Sequence, residues 1–115
     1  QQVIADGAVS AIVLNSGGAN CFTGAQGFQT THATAEGVAE ALQISAGDVL
    51  VCSTGLIGEQ LDRDALLSGV AAAAAGLGPH GDAAARAIMT TDSVSKTVVV
   101  EGPGYTIGGM AKGAG

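Results

Sequence analysis

Three short polar segments in this chain carry residue types suited to acyl chemistry. Ser53-Thr54-Gly55-Leu56-Ile57-Gly58 directly follows an apolar run. A hydroxyl and backbone N–H groups at a strand end can cradle a developing oxyanion. The same residues also suit an ordinary turn, in which Ser or Thr satisfies backbone groups. Thr90-Thr91-Asp92 offers two hydroxyls and a carboxylate to a polar substrate, or ends a helix, which is the simpler local reading. Lys112 lies within Gly108-Gly109-Met110-Ala111-Lys112-Gly113-Ala114-Gly115. Glycine permits close backbone approach to a ligand because it has no Cβ. A lysine there can face a carboxylate or an anionic intermediate, although a surface role is the usual one. Only four of 115 residues are Lys or Arg, so the placement of a cation is informative.

Other polar groups read as structural. Asn15, Ser16 and Asn20 form a polar loop whose simplest role is loop hydrogen bonding. His32 and His80 have no catalytic partner at a telling spacing and read as solvent-facing. Asp62, Arg63 and Asp64 look like a solvated helix start. Cys21 and Cys52 stand apart, outside any CxxC and without a His at metal-ligand spacing, so core packing is expected for both thiols. Phosphate cradles are missing: Gly102-Pro103-Gly104 would need glycine where Ile107 stands, and no GxxxxGK[ST] occurs. A nucleophile elbow of the GxSxG type is also absent. No cofactor and no metal are expected.

Composition narrows the partners. A formal net charge of −6 argues against nucleic acid, which needs a basic surface, and against an anionic membrane. No stretch approaches the roughly 18 apolar residues of a spanning helix, and Gln1-Gln2-Val3 does not open a signal peptide. Two isolated cysteines suit a reducing compartment, and a cytoplasmic location is expected. Hydrophobic residues make up 47% against 3% aromatic, so the core must be built from Ala, Val, Leu and Ile.

The elements that would position these groups follow from periodicity. Val9 to Leu14 reads as a buried strand running into an Asn15–Asn20 loop. A helix is expected from about Thr31 to Leu42, with Ala35, Val38, Ala39 and Leu42 on one face. Gly37 weakens it by about 1 kcal/mol. Ser45 to Asp48 is a turn, and Val49 to Cys52 is a short strand without alternation, expected to be buried on both faces. Asp62 caps a helix reaching Ala75. Asp82 is expected to cap a short helix, Ala83 to Met89. Thr97–Val100 and Tyr105–Ile107 form a hairpin around Glu101-Gly102-Pro103-Gly104. The whole reads as one layered domain over residues 1–115, of α/β or α+β class.

Singly these signals are weak, but their order is specific. Asn15-Ser16-Gly17-Gly18-Ala19-Asn20, Ser53-Thr54-Gly55-Leu56-Ile57-Gly58, Ile88-Met89-Thr90-Thr91-Asp92 and Gly109-Met110-Ala111-Lys112-Gly113 together resemble the ornithine acetyltransferase family. The resemblance covers nearly the whole chain. It departs at Cys21-Phe22-Thr23-Gly24, where Ala-Cys-Thr-Gly is the commoner pattern, and at Asp62, where proline is frequent.

The resemblance implies a self-processing fold akin to N-terminal-nucleophile enzymes. A precursor cleaves itself before a threonine, which becomes the N-terminus and nucleophile of a β chain. This chain would be the central and C-terminal part of the α chain, lacking that threonine. By motif, Thr54 would give its hydroxyl and Gly55 its backbone N–H to an oxyanion hole, while Thr90 and Lys112 would contact substrate. Thr91 is the alternative to Thr90. The implied reaction moves acetyl from acetylornithine to glutamate in arginine biosynthesis, with acetyl-CoA a further possible donor and a heterotetramer of two α and two β chains as the assembly. An N-terminal threonine can use its own α-amine as base, which agrees with the lack of a visible triad. The alternatives are a self-processed hydrolase of similar plan and a non-catalytic assembly fragment.

Overall fold

Ala11–Gly18 (β1) and Val49–Leu56 (β2) form a parallel pair whose register runs unbroken from Ala11 opposite Val49 to Gly17 opposite Gly55. Parallel neighbours need a long crossover, and Gly24–Leu42 (α1) supplies it. Arg63–Ala75 (α2) follows β2. In a computed structural model that describes residues 5–113, this assembly belongs to a first compact unit reaching Gly78. A second unit begins at Pro79 and holds Gly81–Ala87 (α3), Lys96–Gly102 (β3) and Tyr105–Ala111 (β4). Ala114 and Gly115, which close the glycine-rich tail, lie outside the described residues. The chain is of mixed α/β class.

The core of the first unit is small, as a chain poor in aromatics requires. Val38 and Ala39 of α1 pack with Val49 of β2 and Val70 of α2, and Ala11, Val13, Leu42 and Val51 close around them. α1 therefore covers one face of the strand pair, and α2 packs chiefly against α1 with Val70 reaching the same core. On the opposite face Ile12 and Leu14 are 59% and 53% exposed, and Cys52 is exposed beside them. β2 is thus covered on one face rather than two. The thiols are likewise not core groups: Cys52 points to the open face, and Cys21 is exposed in the loop after β1. An uninterrupted apolar run shows that a strand is apolar on both sides, but not that this chain supplies both covers.

α1 starts at Gly24, seven residues before its apolar periodicity becomes visible. Glycines and threonines, poor helix formers, hide the first two turns. Their side chains instead close on the backbone. Thr30, Thr31 and Thr34 donate to the carbonyls of Gln26, Gly27 and Thr30, so even the buried Thr30 and Thr34 hydroxyls are satisfied. The helix ends at Gln43, whose left-handed backbone (φ 56°) lets its N–H reach the Ala39 and Glu40 carbonyls. Gly37 has a packing reason: a Cβ there would lie 3.1 Å from the Leu67 methyl of α2. α2 begins as its sequence dictates, with the Asp62 carboxylate accepting from the Ala65 N–H at 3.0 Å.

In the second unit the hairpin is longer than its apolar residues suggest, with β4 running four residues past Ile107. β3 and β4 pair antiparallel from Gly102 opposite Tyr105 down to Lys96 opposite Ala111. Pro103 and Gly104 alone make the turn, and Gly104 takes φ +79°, as the third residue of a type II turn requires. Gly108 to Ala111 are strand, not loop. Val99 faces Gly108 and Val98 faces Gly109, where an added Cβ would come 3.2 Å from a Val98 methyl. Gly109 makes room for its β-branched neighbour Val98, while a Cβ on Gly108 would meet nothing within 4 Å. α3 runs Gly81–Ala87 with His80, not Asp82, at its cap position; Asp82 sits inside the first turn. Ala85 and Ile88 are the buried apolar residues of this unit.

Candidate active site

In the first unit, the parallel register brings two motifs 38 residues apart into line. Asn15 faces Ser53, Ser16 faces Thr54 and Gly17 faces Gly55, with a bulge at Gly18. The polar segments expected to be loops after each strand are therefore the last rungs of the strands themselves. The Ser53 hydroxyl donates to Asn15 Oδ1 at 2.6 Å. Thr54 is half-buried and Gly55 exposed. Gly17 and Gly55 both hold positive φ, 115° and 137°, so both strands turn at the same rung. A Cβ on Gly55 would lie 2.7 Å from the Gly17 carbonyl oxygen and the Gly18 nitrogen. Only glycine fits there, on grounds of both space and dihedral. Thr54 and Gly55 thus stand at the rung where both strands turn.

The loops beyond these rungs are tied together. Ala19 N–H donates to the Leu56 carbonyl and Gly58 N–H to that of Cys21, each at 2.8 Å. Gln60 Nε2 donates to the Thr23 carbonyl at 2.9 Å. Asn20 secures the start of α1: its amide donates to the Gly27 carbonyl and to Thr31 Oγ1, and its Oδ1 accepts from Thr23 Oγ1 at 2.7 Å. Asn20 thus does the loop hydrogen bonding expected of it, whereas Asn15 bonds from within β1 to Ser53 across the ladder. His32 and His80 are exposed, and the His32 ring leans on Phe28 with centroids 4.2 Å apart. A groove of about 530 Å³ runs along β1 between Asn15–Gly18 and the Ala65, Leu66 and Gly69 positions of α2. Neither Thr54 nor Gly55 lines it.

In the second unit, Thr90 and Lys112 come together although 22 residues separate them. Lys112 Nζ lies 3.4 Å from Thr90 Oγ1, and both residues are exposed. An ammonium beside a hydroxyl is a simple receptor for a carboxylate. Thr91 is exposed as well. Asp92 differs: its side chain has no exposed surface and pairs with Lys96. The Lys96 ammonium, with the Thr90 and Gly113 N–H groups, holds the Asp92 carboxyl well below the usual carboxylate range, against the opposing effect of burial. Asp92 is therefore an internal anion rather than a group offered to substrate. Lys96 was not legible as a site residue; its i, i+4 spacing from Asp92 was the available signal. No cluster of three or more His, Cys, Asp or Glu suited to a metal ion occurs among the described residues.

The sequence pattern of the ArgJ family matches residues 1–115, the full length. The chain belongs to the ArgJ family. This ArgJ-family chain is 63% identical over 116 aligned residues to the arginine biosynthesis bifunctional protein ArgJ of Streptomyces avermitilis, and 60% identical to that of Thermobifida fusca. All of the chain is covered in each case but only 30% of each relative, so it spans less than a third of their length. Among solved structures it is similar to the ornithine acetyltransferase of Mycobacterium tuberculosis complexed with ornithine. That match has a TM-score of 0.94 and 53% identity, and covers 100% of this chain and 64% of the other. The arginine biosynthesis bifunctional protein argJ of Bacillus halodurans matches with a TM-score of 0.78 and 36% identity, over 90% of this chain and 57% of the other. The ArgJ-family chain accordingly has the fold of the corresponding part of these two structures.

Proposed function

We propose that this chain supplies oxyanion donors and substrate contacts to an acetyltransferase of arginine biosynthesis. The enzyme moves acetyl from N2-acetyl-L-ornithine to L-glutamate. Its nucleophile is the N-terminal threonine of a β chain cut from the same precursor. The threonine Oγ attacks the acetyl carbonyl, and its own α-amine takes the proton and returns it to the departing ornithine nitrogen. The glutamate amine then attacks the acyl-enzyme and releases the threonine. Both steps pass through a tetrahedral oxyanion. Thr54 Oγ1 and the Gly55 N–H donate to it, while Thr90 and Lys112 hold the substrate.

The observation that carries this reading is the approach of Lys112 Nζ to Thr90 Oγ1 at 3.4 Å. Two motifs far apart in sequence supply a cation and a hydroxyl at one place. The relative complexed with ornithine, alike over all of this chain, supports the substrate class. That the relatives are named bifunctional proteins supports a second reaction, which we take to be acetylation of glutamate from acetyl-CoA.

The reading extends to the assembly. Residues 1–115 form one domain, the central and C-terminal part of an α chain, which the β chain completes in a cytoplasmic heterotetramer of two α and two β chains. Apolar exposure supports a covering partner: Ile12 and Leu14 on the open strand face, and Val98, Val99, Val100, Tyr105 and Ile107 along the hairpin, are all more than half exposed. No helix among the described residues is long and apolar enough to cross a membrane.

The test is an assay of the matured enzyme from the full-length precursor, given acetylornithine with and without glutamate. Acetylglutamate formed only with glutamate supports the transferase. Acetate released at the same rate without glutamate makes it a hydrolase, and no turnover of acetylornithine in either assay overturns the reading.

A further inference from the structure

The hairpin ladder stops one residue short of Lys112. Its last pair is Lys96 opposite Ala111, so Lys112 and Gly113 continue beyond the rungs. The backbone there is held by a different device. The Gly113 N–H donates to Asp92 Oδ1 at 2.7 Å, and the Gly113 carbonyl accepts from Lys96 Nζ at 3.0 Å. Lys96 Nζ also donates to Asp92 Oδ1, which closes a three-membered ring of interactions. The other carboxylate oxygen, Oδ2, accepts from the Thr90 N–H at 3.2 Å. One buried carboxylate therefore grips the residue that follows Lys112 and the backbone of Thr90.

We propose that Asp92, with Lys96, is a positioning residue pair that clamps the Thr90 turn to the strand end and so sets the Lys112 ammonium against the Thr90 hydroxyl. The proposal rests on the reading of Thr90 and Lys112 as substrate contacts. Lysine has a long, flexible stem, and an exposed ammonium recognises a carboxylate with little loss of freedom only when its backbone is fixed. The ladder alone does not fix it. Gly113 suits the clamp because its φ of +129° turns both its N–H and its carbonyl toward the Asp92–Lys96 pair. Neither Asp92 nor Lys96 is assigned contact with substrate; both act through Lys112 and Thr90.

The experiment uses the matured enzyme from the full-length precursor. Asp92→Ala and Lys112→Ala are made singly and together, with Lys96→Met as a second clamp variant that keeps the carboxylate and its two backbone donors. Asp92→Ala is expected to raise the KM for acetylornithine about tenfold, the scale of losing a charged hydrogen bond. In the Lys112→Ala background the same change should add less than about twofold, because the clamp acts through that lysine. Fully additive effects, or an unchanged KM for Asp92→Ala, overturn the positioning role. Amide hydrogen exchange over residues 108–113 reads the clamp without activity. Faster exchange there in Lys96→Met, with residues 24–42 as protected as in the parent, supports it, and unchanged exchange overturns it, even if Asp92→Ala fails to fold. A Lys112→Ala enzyme with normal kinetics overturns instead the substrate-contact reading on which the proposal stands.

Discussion

Gly55 lies directly across the parallel ladder from Gly17, and both hold positive φ at that rung. The Gly17 carbonyl oxygen stands only 2.7 Å from where a Gly55 Cβ would be. The turn that follows Thr54 is therefore built from two glycines that the sequence separates by a helix.

Gly55→Ala is expected to fail on both counts, dihedral and contact. It should destabilise the folded enzyme by about 1–3 kcal/mol, the scale of a strained backbone position, and also lower turnover by displacing the N–H donor. Thermal unfolding and kcat measured on the same preparation check this. An unchanged melting temperature would mean that the strands separate at this rung without cost.

Thr54→Ala should separate chemistry from folding. Thr54 is half-buried, and Gly17 and Gly55, which form the turn, stay in place in this variant. The expected result is a fall in kcat of about 10²–10³, the scale of losing one oxyanion donor, with an unfolding midpoint close to the parent's. Thr54→Ser keeps a hydroxyl and should recover most of the rate. Normal turnover in Thr54→Ala would remove this residue from the oxyanion hole.

Lys112→Ala should raise the KM for acetylornithine by about tenfold or more, the scale of a charge-assisted contact. Thr90→Ala should act in the same direction, while Thr91→Ala should leave KM near the parent value. The geometry makes the distinction, because it is Thr90 Oγ1 that lies 3.4 Å from the Lys112 ammonium. A larger effect at Thr91 than at Thr90 would reverse the assignment of the pair.

Asp92 makes acid stability asymmetric. Its carboxyl is held below the ordinary range in the folded chain by Lys96 and two backbone N–H groups. A carboxylate with a depressed folded pKa stabilises fully above its unfolded value of about 4, and that share is lost as the pH falls toward the lower folded value. The parent should therefore exceed Asp92→Asn in unfolding midpoint at pH 7, with the gap narrowing below about pH 4. A gap that stays constant down to pH 3 would show that the carboxylate charge is not what the Asn variant loses.

Much of the architecture was legible because it is local. The Asp62 cap and the Pro103-Gly104 turn both sit where side-chain chemistry within a few residues places them. The first turns of α1 were not legible, because Asn20 and Thr23 stabilise a glycine- and threonine-rich start through contacts that no helical period reveals. The Asn15–Gly18 segment reads as a loop, and Gly108–Ala111 falls outside the expected strand that ends at Ile107, because glycine and polar residues are poor strand formers taken alone. Their partners make them strands: Ser53 to Leu56 in one case and Lys96 to Val99 in the other.

The order of motifs along the chain, read without coordinates, determined the family, the four candidate residues Thr54, Gly55, Thr90 and Lys112, and the small-residue core. These depend on residue identity, which the sequence states outright. Tertiary structure alone decided that Gly55 must be glycine because of Gly17, that Thr90 rather than Thr91 meets Lys112, and that Cys52 and the outer face of β1 stand open. It also decided that the Asp92 carboxylate is buried against Lys96 and the Thr90 and Gly113 N–H groups. Each of these depends on which groups come within a few ångströms across long separations in sequence, and that proximity is set by strand register and helix packing rather than by any residue's own preference.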